Sequence, residues 1–210
     1  MTRSSEMPRL GALLPAIVAM AMVVVASNIL VQFLLGDWLT WGAFTYPVAF
    51  LVTDLTNRFH GPAAARRVVV AGFVVGVLCS FAAAGLDKTT LRIALASGLA
   101  FLSAQMLDVA VFDRLRAGSW WRAPMVSTLL GASLDTAIFF FVAFSAALIP
   151  LEPAVDTLWA AETVPLLGQG PGAPLWVSLA VADWSVKLAL AVVALIPFRL
   201  IVRQYRPRLA

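Results

Sequence analysis

The chain has 210 residues, of which 61% are hydrophobic and only 12% charged. A soluble domain is nearer to about 25% charged, so a mean hydropathy of +0.92 excludes an ordinary water-soluble fold. The formal charge of +4 is not a nucleic-acid footprint, because the arginines lie between apolar runs, where they set membrane topology.

About 20 apolar residues cross the hydrocarbon, and six such runs occur: 10–35, 39–57, 67–86, 91–112, 124–149 and 174–198. The first is too long for a signal-peptide core and reads as a retained helix. Gly36-Asp37 separates it from the second. There Tyr46, Pro47 and Phe50 predict an interrupted helix, a feature often found beside binding sites. Arg58 to Arg67, with Gly61-Pro62, forms the next connection, and Asp87-Lys88 the next turn. Asp113 to Arg122 joins the fourth and fifth runs. Pro150 to Pro174 is the longest connection, and within it Val155 to Thr163 predicts a short amphipathic turn on the membrane surface. Backbone groups in lipid must be satisfied internally, so each run should be helical. The expectation is an all-α, polytopic membrane protein, with residues 1–210 forming one domain of six transmembrane helices in one bundle.

The basic residues are unevenly placed. Arg3, Arg9, Arg58, Arg66, Arg67, Arg114, Arg116, Arg122, Arg199, Arg203, Arg206 and Arg208 fall on one side, against Lys88 and Arg92 on the other. The second side also carries Asp37, Glu152, Asp156 and Glu162. A Lys/Arg excess marks the cytoplasm, so both termini are expected there and the long acidic loop outside.

Four carboxylates sit inside the apolar runs: Asp54, Asp108, Asp135 and Asp183. Each costs about 2.5–3.5 kcal/mol at a helix centre even on the lenient insertion scale, and such residues mark polar sites or pathways. Two lie in near-copies, Leu107-Asp108-Val109-Ala110-Val111-Phe112 and Leu134-Asp135-Thr136-Ala137-Ile138-Phe139. By helical rise, Asp135 and Lys187 both reach mid-depth and are natural counter-charges. Asp183 and Lys187 are spaced i, i+4 and share a face, so the lysine has two candidate acids. Asp54 and Asp108 lie deeper toward the cytoplasmic side, with Gln105 one turn from Asp108. Interfacial pairing competes with a ligand role for both: Asp108 is near Arg114 and Arg116, and Asp54 is one turn from Arg58. Asn28 and Gln32, i, i+4 in the outer half of the first helix, are either ligands or interhelical glue. Thr53, Ser127 and Thr128 read as packing residues.

Several chemistries are excluded by what is missing. One cysteine, Cys79, permits no internal disulfide and reads as a small core residue. One histidine, His60, sits at a helix end and makes a bis-histidine haem or a three-ligand zinc site hard to build; no metal and no cofactor are expected. There is no G-x-x-x-x-G-K-[ST], no G-x-S-x-G and no H-E-x-x-H, so no enzyme is expected.

The segments Ser27-Asn28-Ile29-Leu30, Tyr46-Pro47-Val48-Ala49-Phe50-Leu51-Val52-Thr53-Asp54-Leu55, Gln105-Met106-Leu107-Asp108, Ser127-Thr128 with Leu134-Asp135-Thr136, and Lys187 come in an order and spacing that resembles the queuosine precursor transporter family. That family is also called the vitamin-uptake-transporter-like family. The likeness runs from about Ala26 to Pro197. It implies a six-helix carrier of the bacterial inner membrane that imports 7-cyano-7-deazaguanine and 7-aminomethyl-7-deazaguanine for queuosine synthesis. Two positions depart from the family: Arg58, where an acid is common, and Gly131-Ala132, where Ser-Gln is common.

The residues suit such a ligand independently. A carboxylate accepts the adjacent N–H and amine of a guanine-like edge in bidentate fashion, an amide such as Gln105 reads a carbonyl or ring nitrogen, and Tyr46 or Phe50 stacks on a flat base. The expected substrate contacts are Asp54, Gln105, Asp108 and Asp135, then Asn28, Lys187, Tyr46 and Phe50. The expected partners are a small nucleobase and the bilayer, with no nucleic acid; the sequence leaves open a homo-oligomer or an energising partner. Two other readings stand beside the carrier: a substrate-binding subunit of an energy-coupled uptake complex, and a non-transporting membrane assembly protein whose acids would satisfy one another around no cavity.

Overall fold

The structure is a computed structural model that describes residues 10–151 and 155–205. Arg3, Arg9, Glu152, Arg206 and Arg208, and with them both chain ends, lie outside those residues. Six α-helices carry the fold: α1 (Leu10–Leu30), α2 (Gly42–His60), α3 (Pro62–Gly85), α4 (Leu91–Leu115), α5 (Arg122–Phe144) and α6 (Leu175–Tyr205). Five of them are long and apolar enough to cross a membrane; α2 is the exception.

The helix ends differ from the apolar runs for local reasons. α1 stops at Leu30 rather than 35, because Gln32 and Phe33 donate to the carbonyls three residues back and tighten the chain into a turn. A short antiparallel hairpin follows, β1 (Leu34–Leu35) on β2 (Leu39–Thr40), with Gly36 at φ +66°. Arg58 to Arg67 is not a loop. α2 and α3 abut at Gly61, whose φ of +83° and ψ of 173° suit glycine alone, and Pro62 starts α3, where its missing donor costs nothing. Pro47 does not interrupt α2, which runs unbroken through it. α5 ends at Phe144 rather than 149 because Ser145 is extended. Residues 145–174 then form 3-10 turns and a second hairpin, β3 (Thr163–Pro165) on β4 (Gly172–Pro174), so the expected all-α fold carries two small hairpins in its loops. The predicted surface turn is a 3-10 segment, Val155–Ala161. It has two faces: Thr157 and Ala160 are buried, the latter in a core cluster with Phe140 and Phe144, while Leu158 and Trp159 are exposed and Trp159 meets Phe144 edge-on at 5.6 Å.

α2 touches each of the other five helices and is the least apolar of them. Its buried residues include Thr53, Asp54, Thr56 and Asn57. α1 and α3 bury only 22% of their spanning windows, and a lipid-facing helix can expose apolar side chains at no cost. α4 and α5 pack closely through small residues, as membrane helices do: Ala96, Ala100, Ala104 and Ala132 are buried, and a Cβ on Gly131 would lie 3.2 Å from the Ala104 carbonyl oxygen. Arg92 pins the other end of this pair. It is 7% exposed and donates to the carbonyls of Val142 at 2.7 Å and Ser145 at 2.6 Å, satisfying carbonyls left over at the C-terminus of α5.

The connections at 31–41, 86–90 and 145–174 gather at one end of the bundle, the loop end. The described arginines other than Arg92 gather at the other. There Arg58 donates to the Arg116 carbonyl at 2.8 Å, and Arg116 pairs with Asp113 at 3.0 Å.

Candidate functional site

A cavity of about 550 Å3 opens at the loop end and descends between the helices. Its walls include Asn28 of α1, Gln32 in the turn after it, Tyr46 of α2, Ser80 of α3, Ser97 of α4, and Phe139, Phe140 and Phe144 of α5. Asp135, Asp183 and Lys187 line it at depth.

Lys187 is shared. Its Nζ lies 2.7 Å from Asp135 Oδ2 and 2.5 Å from Asp183 Oδ2, so the two candidate acids of the sequence are both its partners. It also donates to Thr136 Oγ1 at 3.3 Å, while the Thr136 hydroxyl donates to Asp183 at 2.9 Å. The Tyr46 ring closes the group, with its centroid 5.0 Å from Nζ. Charges persist in a low-dielectric interior when paired and hydrogen-bonded, and this lysine has both. One oxygen is left over: Asp135 Oδ1 is buried without a partner.

Asn28 makes the interhelical contact expected of it, accepting from Ser80 Oγ at 3.3 Å and tying α1 to α3, and it also faces the cavity.

Asp54, Gln105, Asp108 and Phe50 do not line this cavity. Gln105 and Asp108 are 0% exposed, Phe50 is 1% and Asp54 2%. Together with Thr53, Asn57, Ser127 and Thr128 they make an enclosed polar chamber nearer the arginine end. Asp54 accepts from Ser127 at 3.3 Å and Thr128 at 3.4 Å. Thr53 donates to Gln105 Oε1 at 2.6 Å, and Asn57 donates to the Val109 carbonyl at 3.0 Å. The Asp108 carboxyl turns toward Asp54 and Ser127 rather than toward Arg114 or Arg116, so the interfacial pairing expected as its alternative does not form. Both Asp108 oxygens, Gln105 Nε2 and Asn57 Oδ1 are buried without a partner. Such groups cost about 1–3 kcal/mol each, and four such atoms fall in this one cluster.

Phe50 stands between the two groups. It packs with Tyr46, Ala104 and Ala132, and a Cβ on Gly131 would meet its ring at 2.7 Å. At Gly131, part of the Gly131-Ala132 departure, any side chain would require the Phe50 ring to shift. The expected substrate residues thus fall into two layers. Asn28, Tyr46, Asp135 and Lys187 line the open cavity; Asp54, Gln105 and Asp108 sit below it, with Phe50 between. Sequence reading missed Thr53 and Thr136, which fix the amide and the lysine. Their position beside Asp54 and Asp135 was the available signal. It also underrated Asp183.

Paired and unpartnered acids within a membrane bundle, beneath an open cavity, suit passage of a small polar solute. A family model described as putative vitamin uptake transporter matches residues 40–202. The chain belongs to this family. It is a multi-pass membrane transporter and not an enzyme. A protein of Escherichia coli (strain K12) described as a queuosine precursor transporter is 35% identical over 195 residues, covering 84% of this chain and 79% of that protein. A Haemophilus influenzae protein described as a probable queuosine precursor transporter is 32% identical over 75% of this chain and 66% of its own length. A Bacillus subtilis protein with that same description is 28% identical over 77% of this chain and 71% of its own length. No solved structure matches the chain.

Proposed function

We propose that this transporter imports queuosine precursors, the bases 7-cyano-7-deazaguanine and 7-aminomethyl-7-deazaguanine, across the bacterial inner membrane. The substrate class follows what its relatives are described as carrying. The observation that supports the chemistry is the set of buried, unpartnered polar atoms: both carboxylate oxygens of Asp108 with the amide Nε2 of Gln105 in the lower layer, and one oxygen of Asp135 in the upper. A guanine-like edge presents an N–H and an amine to a carboxylate and a carbonyl to an amide donor, and that complement is what these atoms lack.

In this reading the base enters from the loop end, stacks among Tyr46 and the α5 phenylalanines, and meets Asp135 and Lys187. Displacement of Phe50 then passes it to Asp54, Gln105 and Asp108. α2 is the sixth spanning helix, stable there because its polar face is buried by five neighbours. Both termini and the arginine end face the cytoplasm.

Uptake of labelled base by purified protein alone in proteoliposomes tests the function. Accumulation that Asp135→Asn abolishes, with the variant still reconstituted, is the expected result. Wild-type uptake by Asp135→Asn would remove that carboxylate from the site. No uptake by the wild type without added partners would favour the substrate-binding subunit of an energised complex. Orientation is tested by an impermeant thiol reagent on a cysteine placed at Gly118 in a Cys79→Ala background. Labelling from the outside would reverse the topology.

A further inference from the structure

A second concave site lies at the arginine end, away from the cavity and the chamber. It measures about 180 Å3 and is lined by Arg58, Trp120, Phe198, Arg199, Val202 and Arg203. A single water needs only about 10–15 Å3 measured this way, so the space admits a larger group. No carboxylate lines it among the described residues. Its apolar wall is firm: Phe198 is 2% exposed and Val202 8%, and both pack with Phe112 and Ala123. The Arg199 guanidinium lies over the Trp120 ring at 4.5 Å, which fixes the direction of its donors. Arginines that only set topology need no pocket, whereas these line one.

We propose that this pocket binds a phosphate anion, namely the headgroup of an acidic phospholipid. Guanidinium groups bind phosphate oxygens in bidentate fashion, and basic pockets at the cytoplasmic ends of membrane helices suit anionic headgroups. The face of α6 favours a lipid over free phosphate. Ile196, Arg199, Leu200 and Arg203 follow i, i+3, i+4, i+7 spacing and share one side of the helix. Ile196 is 63% exposed and Leu200 62%. The aliphatic residues therefore continue the track of the arginines into the hydrocarbon, where acyl chains would lie. The three elements joined at the pocket are the end of α2, the α4–α5 connection and the last turns of α6.

The experiment is thermal unfolding of the purified chain in neutral detergent with phosphatidylglycerol, phosphatidylcholine of the same chains, or inorganic phosphate added. Phosphatidylglycerol is expected to raise the midpoint by about 3 °C more than phosphatidylcholine at saturation. The variant Arg199→Gln with Arg203→Gln should lose that difference, and Arg66→Gln with Arg114→Gln, at the same end but outside the pocket, should keep it. A rise with inorganic phosphate that needs the same two arginines would support the anion site and assign it to free phosphate. Equal shifts by the two lipids in the wild type would overturn the proposal, even if the variant failed to fold. So would an undiminished difference in the pocket variant, or equal loss in both variants.

Discussion

At the cavity floor, Lys187 stands between Asp135 and Asp183 at 2.7 and 2.5 Å. One layer below, Asp54 and Asp108 turn toward each other among hydroxyls and an amide. The floor is a paired ion group beside open space, with one Asp135 oxygen left over; the chamber is a partly bonded polar group apart from that space, with four unpartnered atoms. A low dielectric makes both arrangements high-stakes, but in opposite directions. Pairing makes the floor groups depend on one another. Asp108 breaks little if it is neutralised, because neither of its carboxyl oxygens has a hydrogen-bond partner. Stability and transport should therefore separate: floor variants damage both, and neutralising Asp108 damages transport alone.

The largest loss of stability is expected from Lys187→Ala. It strands two carboxylates, and breaking a buried pair costs about 3–5 kcal/mol. Because the lysine is shared, removing Asp135 or Asp183 as well should recover part of the loss in either case, and neither double variant should recover all of it. Full recovery in one alone, by thermal unfolding in detergent, would show that the other contact is idle.

Gly131→Ala should have an intermediate effect. The new Cβ would lie 2.7 Å from the Phe50 ring and 3.2 Å from the Ala104 carbonyl oxygen. Overpacking of this kind costs about 1–3 kcal/mol. It also acts on the residue that divides the two layers, so uptake should fall together with the thermal midpoint. An unchanged midpoint would mean that Phe50 moves aside freely and divides nothing.

Much of this architecture was legible in the sequence because lipid imposes simple rules. Apolar run length located the helices, and the acids inside them located the polar layers. The ends of the runs were less legible. Leu34 and Leu35 are apolar but sit in a hairpin, and hydropathy does not register a turn. α2 shows the limit most clearly. Its Thr53, Asp54 and Asn57 lower its hydropathy below that of a typical span, yet they are buried at its centre. In a membrane bundle the most polar helix belongs inside, so composition reports exposure in the reverse of its sense in water. The sorting of Asp54, Gln105 and Asp108 away from Asp135 was not legible. It depends on where Phe50 points and on how closely α4 meets α5 at Gly131, and helical spacing carries neither.

The smallest change in stability is expected from Asp108→Asn, and it tests the contrast most directly. Asp108 is fully buried, and neither carboxyl oxygen has a partner. The amide has the same shape and cannot be ionised, so it removes a desolvation cost without opening a cavity. It breaks no ion pair, because Lys187 serves the other layer. The midpoint should therefore hold within about 0.5 kcal/mol of the wild type or rise. Uptake should nonetheless fall at least about tenfold, the equivalent of about 1.4 kcal/mol of lost interaction, since an amide offers a base edge one acceptor where the carboxylate offers two. A loss of stability as large as that of Lys187→Ala would make Asp108 a structural partner. Wild-type uptake with wild-type stability would leave its two bare oxygens without a purpose, and the chamber would no longer belong to the transport path.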